Sequence, residues 1–164
     1  MNEKEFNALF SSLSDKLFRM ARSILRNTDE AVDAVQDLQL KMWEKRSALL
    51  TADNKTTYTL RTMRNLCIDT LRRKRHFEEL PEGWETQLTT DAQPAEDADM
   101  ARYVSTLIDQ LPEIQRTIVR MRDVEELDIA EIAEITGIKE NAVCVNLSRA
   151  RIKLRTQLLK ELEN

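Results

Sequence analysis

Apolar residues recur at helical spacing from the start of the chain. Phe6, Leu9, Phe10, Leu13, Leu17, Met20 and Ile24 fall three and four apart and trace one stripe, which predicts a helix over residues 2–25. Asn27-Thr28-Asp29 interrupts the stripe and offers side chains suited to capping a following helix. That second helix extends to about Arg46, with Ala31, Val35, Leu38 and Met42 on one face. Ser47 to Lys55 is polar and reads as a loop. A third helix runs from about Thr56 to Arg75, with Leu60, Met63, Leu66, Cys67 and Leu71 as its buried side. Between Phe77 and Ala101 the periodicity is lost. Helices resume from about Met100 to Gln110, and Pro112 is placed to open the next, which carries Ile114, Ile118, Val119 and Met121. Two more follow, from about Asp128 to Thr136 and from about Lys139 to the C-terminus.

Composition agrees with an all-α fold. Two Gly and three Pro among 164 residues are too few for a turn-rich β protein. The patterning therefore predicts two small helical domains, residues 1–76 and 101–164, joined by a linker at 77–100. The linker stretch holds eight acids (Glu78, Glu79, Glu82, Glu85, Asp91, Glu96, Asp97, Asp99) and no Lys or Arg. No apolar run approaches the roughly 20 residues needed to span a bilayer, and no signal-peptide pattern opens the chain, so a cytoplasmic protein with no membrane insertion is expected. Cys67 and Cys144 lie far apart, and His76 has no ligand partner nearby, so neither a metal site nor a cofactor is expected. There is no phosphate-binding Gly-rich loop and no nucleophile with a placed base, which disfavours an enzyme.

Charge changes the picture because it is segregated. The net charge of −4 argues against nucleic-acid binding only if it is spread evenly. Arg61, Arg64, Arg72, Arg73, Lys74 and Arg75 face only Asp69, a local net of +5, and Asn65 sits among them. Arg and Asn side chains suit phosphates and base edges. Compensation of the helix dipole accounts for some cations at a helix C-terminus, but a run of four exceeds what it requires. Lys139, Arg149, Arg151, Lys153 and Arg155 face only Glu140, a local net of +4. These lie on the second element of a helix-turn-helix pattern: Ile129, Ile132 and Ala133 on a short helix, Gly137 for the left-handed turn, then Val143 and Leu147 facing inward. A plain helical hairpin with a solvated basic face has the same spacing. The helix with Asp29, Glu30, Asp33, Asp37, Leu38, Leu40, Trp43 and Glu44 is suited instead to another protein. Trp43 is either an interface anchor or part of the core.

Three blocks resemble extracytoplasmic-function (ECF) sigma factors of the sigma-70 family. AVDAVQDLQLKMWEKR at Ala31 to Arg46 is similar to their region 2.2. LRTMRNLCIDTLRRKR at Leu60 to Arg75 is similar to regions 2.3 and 2.4, and Leu111 to Arg155 to region 4. The resemblance implies a subunit that binds core RNA polymerase, recognises promoter DNA and starts transcription. It implies contact with the polymerase β′ subunit through Asp33, Gln36, Asp37, Leu40 and Trp43, and a meeting of region 4 with the β subunit. It assigns the −10 element to Arg64, Asn65, Asp69, Arg72 and Arg73, with Arg61, Lys74 and Arg75 in the same basic set. The −35 element falls to Asn141, Cys144, Asn146, Arg149 and Arg151, flanked by Lys139 and Lys153. Family members are often held by an anti-sigma partner. Gln39, Val32, Tyr58 and Cys144-Val145-Asn146 depart from the usual pattern, which bears on the polymerase contact and the −35 preference. The alternative is a stand-alone helix-turn-helix regulator, which leaves the Arg72 to Arg75 cluster and the Trp43 helix unexplained.

Overall fold

The computed structural model describes residues 1–77 and 96–163. Its described residues are helical and turn segments without a strand. They fall into two compact units, one of residues 1–81 with 134–137 and one of residues 82–133 with 138–164. The predicted linker lies largely outside the described residues.

The first unit holds α1 (Glu3–Leu25), α2 (Thr28–Glu44), α3 (Arg46–Thr51) and α4 (Lys55–Phe77). Its helix ends are set locally. Asn2 accepts a bond from the Glu5 amide and Glu5 reaches back to the Asn2 amide, a reciprocal capping box. Arg26 takes a left-handed conformation (φ 60°) and its N–H closes on the Arg22 carbonyl, ending α1. One residue on, the Asn27 side chain accepts from the Glu30 amide at 2.9 Å and starts α2, as the polar break predicts. Asn54 does the same for α4 through the Thr57 amide at 3.0 Å. Helices α1, α2 and α4 pack on one another around Phe6, Phe10, Leu13, Leu17, Ile24, Leu38, Met42, Leu60 and Met63, all buried.

The stretch from Ser47, expected as a loop, instead continues a short helix α3 (Arg46–Thr51). No side chain caps it, and its N-cap residue, Lys45, is also the C-cap of α2. Tertiary burial of Leu49 (0% exposed) holds it in place. A single apolar anchor in six residues carries no periodicity for sequence reading to detect.

The C-terminal part of the chain forms α5 (Glu96–Asp109), α6 (Glu113–Val119), a π-helical turn (Arg120–Val124), α7 (Ile129–Thr136) and α8 (Glu140–Glu163). Helix α5 begins four residues earlier than the pattern suggests. Pro112 stands at the N-cap of α6 with an extended ψ of 149°, which turns the chain between helices. Arg116, only 5% exposed, sends its Nη1 to the Leu111 carbonyl at 3.2 Å, so a buried cation serves the connection between α5 and α6. Asp128 caps α7 by accepting from the Glu131 amide at 2.8 Å. Gly137 adopts φ 77°, the left-handed conformation its place between α7 and α8 requires. Helices α6 and α5 pack against α8, whose inward residues Val143, Leu147 and Ala150 are buried.

Candidate nucleic-acid and polymerase interfaces

Helix α4 buries Leu60, Met63, Leu66 and Cys67. At 100° per residue, Arg61, Asn65, Arg72 and Arg75 fall together on the opposite side, and all four are exposed. Arg64 lies half-buried at the edge of this stripe, while Asp69 and Arg73 flank it on the other side in solvent. Lys74 does not share it. It lies in line with Met63, Cys67 and Thr70 on the packed side and forms an ion pair with Glu30 of α2. The run Arg72 to Arg75 is thus divided: helix geometry gives two cations to the outward stripe and turns a third toward a neighbouring helix.

Lys139, just before α8, and the predicted α8 residues Asn141, Cys144, Arg149, Arg151 and Lys153 are all exposed. Arg151, and Asn146 beside these six, have internal partners. Asn146 is half-buried and donates its Nδ2 to the Ala142 carbonyl at 2.8 Å, one turn back along its own helix. Arg151 meets Asp123 of the π-helical turn, with Nη2 to Oδ1 at 2.6 Å and Nε to Oδ2 at 3.3 Å. This hydrogen bond, opposed in part by burial, raises the Arg151 pKa further. Neither partner was legible beforehand, because each is set by packing and not by spacing. Cys144 is a free, exposed thiol. Cys67 is buried, and burial pushes its pKa up to about 12.

Asp33, Gln36, Asp37 and Leu40 share the exposed face of α2, and Leu40 is 65% exposed. Trp43 is both core and surface. Its ring meets Phe6 edge-on with centroids 5.2 Å apart, the Arg46 guanidinium lies 4.2 Å over it, and it remains half-buried. Glu3, Phe6 and Asn7 of α1 join Gln36, Gln39, Leu40 and Trp43 around a shallow open groove. The α1 residues were not among the sequence candidates; the stripe that marks Phe6 as core gives no sign that its rim faces a groove. Among the described residues no cluster of His, Cys, Asp and Glu suits a metal, and no helix is long and apolar enough to cross a membrane.

Two all-helical units, one with a cationic stripe on its last helix and one with a helix-turn-helix, define the class of two-region promoter-recognition factors. Residues 9–77 match the family model for sigma-70 region 2 and residues 101–154 that for sigma-70 region 4. The chain belongs to the ECF sigma factors of the sigma-70 family, which direct promoter-specific initiation of transcription. It is 27% identical to the ECF RNA polymerase sigma factor SigW of Bacillus subtilis over 96% of this chain and 90% of that one. It is 30% identical to the RNA polymerase sigma factor SigV of the same organism, over 88% of this chain and 85% of that one. Among solved structures it resembles the sigma factor RpoE in complex with the anti-sigma factor NepR from Bartonella quintana, with TM-score 0.77 and 22% identity, covering 96% of this chain and 98% of that one. It also resembles CnrH in complex with the cytosolic domain of CnrY, with TM-score 0.68 and 22% identity over 96% of this chain and 89% of that one. The match to region 2 as well as region 4 favours the sigma factor over a stand-alone helix-turn-helix regulator.

Proposed function

We propose that the two units divide promoter recognition between them, residues 1–76 taking the −10 element and core polymerase, and residues 101–164 the −35 element. The observation that carries this reading is that most cations of both helices are exposed while the apolar residues between them are buried; of these exposed cations, Lys74 and Arg151 hold ion pairs among the described residues. On α4, Arg61, Arg72, Arg73 and Arg75, with Arg64 and Asn65, meet the DNA backbone and exposed bases near the start site. Lys139, just before α8, and Asn141, Cys144, Arg149 and Lys153 on it lie along a major groove. On α2, Asp33, Gln36, Asp37 and Leu40 dock with Trp43 on the β′ subunit, with Trp43 as the aromatic anchor. The protein works in the cytoplasm. An anti-sigma partner is supported by the complexes in which both similar structures were solved.

Run-off transcription with core enzyme separates these roles. Neutralising Arg72 and Arg73 is expected to lower promoter opening far more than core binding. Equal loss of both would refute the division. Failure to bind core enzyme or to start transcription from any genomic promoter would refute the whole assignment.

A further inference from the structure

The π-helical turn Arg120–Val124 is held from several directions. Arg120 sends Nη2 to Asp109 Oδ1 at 2.8 Å and to Ser105 Oγ at 3.0 Å. Met121 is 2% exposed, and Arg122 donates to the Leu127 carbonyl at 2.9 Å. Glu126, just beyond, takes a left-handed φ of 60°. From this fixed support Asp123 presents both carboxylate oxygens to Arg151, 28 positions further along the chain. The side chains of Arg151 and Asp123 are 48% and 40% exposed, and at that exposure an ion pair contributes little to stability. Wide turns of this kind occur often at functional positions.

Resting on the reading of α8 as the DNA-facing helix, we propose that Asp123 is a positioning and specificity-determining residue for promoter recognition, holding Arg151 in one orientation and cancelling its charge. A free arginine attracts any phosphate, and the release of counterions makes that attraction strong and blind to sequence. Arg151 has its charge offset by a built-in carboxylate and two of its five N–H donors occupied. The three that remain are aimed by the pair. It therefore contributes direction more than general attraction. Arg149, Lys153 and Arg155, exposed on the same helix, supply the general attraction.

The test uses the full chain with core RNA polymerase and two linear duplexes: one carrying a start site mapped with this factor, the other the same duplex with its −35 stretch scrambled. Affinity is measured across a series of KCl concentrations. Asp123→Asn is expected to raise affinity for the scrambled duplex about threefold or more at low salt and to steepen the log–log salt dependence by about 0.9. The ratio between the two duplexes falls accordingly. Asp123→Glu restores the wild-type slope, and Asp123→Asn is silent when Arg151 is already Gln. An unchanged slope and ratio in Asp123→Asn overturns the proposal. So does equal loss on both duplexes at unchanged slope, which marks a merely structural residue. If the wild-type factor itself fails to distinguish the two duplexes, it is the reading of α8 that falls.

Discussion

Gly137 carries a conformation that other residues resist. A Cβ built there meets nothing within 4 Å, so the cost of substitution is backbone strain alone. Gly137→Ala is expected to destabilise the C-terminal unit by about 1 kcal/mol in urea titration, and Gly137→Asn by less. The two thiols part company for a different reason. Exposed Cys144 is expected to react with a maleimide at pH 8 while buried Cys67 stays unlabelled until the chain unfolds, as mass spectrometry would show. Because its folded pKa lies above the ordinary 9.0, Cys67 contributes stability that is complete below pH 9 and is lost as pH climbs towards about 12. The stability difference between wild type and Cys67→Ala should shrink over that window. The glycine was legible in the sequence because its chemistry is intrinsic. The roles of Lys74, Asn146 and Arg151 were not, since whether a polar side chain faces solvent or a neighbour depends on what packing brings beside it.

Helix α4 makes the same point over several turns. Its stripe predicts unequal effects from adjacent cations. Arg72→Ala should reduce open-complex formation, followed by permanganate reactivity of the melted strand, whereas Lys74→Ala should leave opening near normal and cost at most about 1 kcal/mol through the lost Glu30 pair. Equal defects would mean that charge matters there but direction does not. On α2, Trp43→Ala is expected to weaken core-polymerase binding on the order of 30-fold, with little effect on how a formed holoenzyme opens DNA. The long helices were readable because each repeats its apolar stripe many times. The single anchor of α3 and the extra residue of the π-helical turn leave no repeating trace, so both emerged only from tertiary packing.

The net charge of −4 is unevenly spread: cations gather on α4 and α8, acids on α2 and between residues 78 and 99. On the proposed reading, duplex DNA meets a molecule that repels it overall and attracts it at these two cationic clusters. The free chain is expected to show no shift of promoter DNA in a gel at about 150 mM salt, where nonspecific binding is weak even for basic proteins. With core enzyme it should initiate transcription. Robust binding of duplex by the chain alone would contradict this balance. Each unit is also small enough to be marginal by itself, so core polymerase is expected to raise resistance to proteolysis in both. The two-unit plan was legible from three motif blocks in order; the groove between α1 and α2 was not, because its rim draws on residues far apart in the chain.

The indole of Trp43, half in the core against Phe6 and half at the groove, makes the molecule its own optical reporter. With Trp84 replaced by Phe, emission arises from that one ring. Its spectrum should shift to the blue when water is displaced from it, so that docking of a tryptophan-free partner fragment in the groove can be followed in real time without attaching a dye.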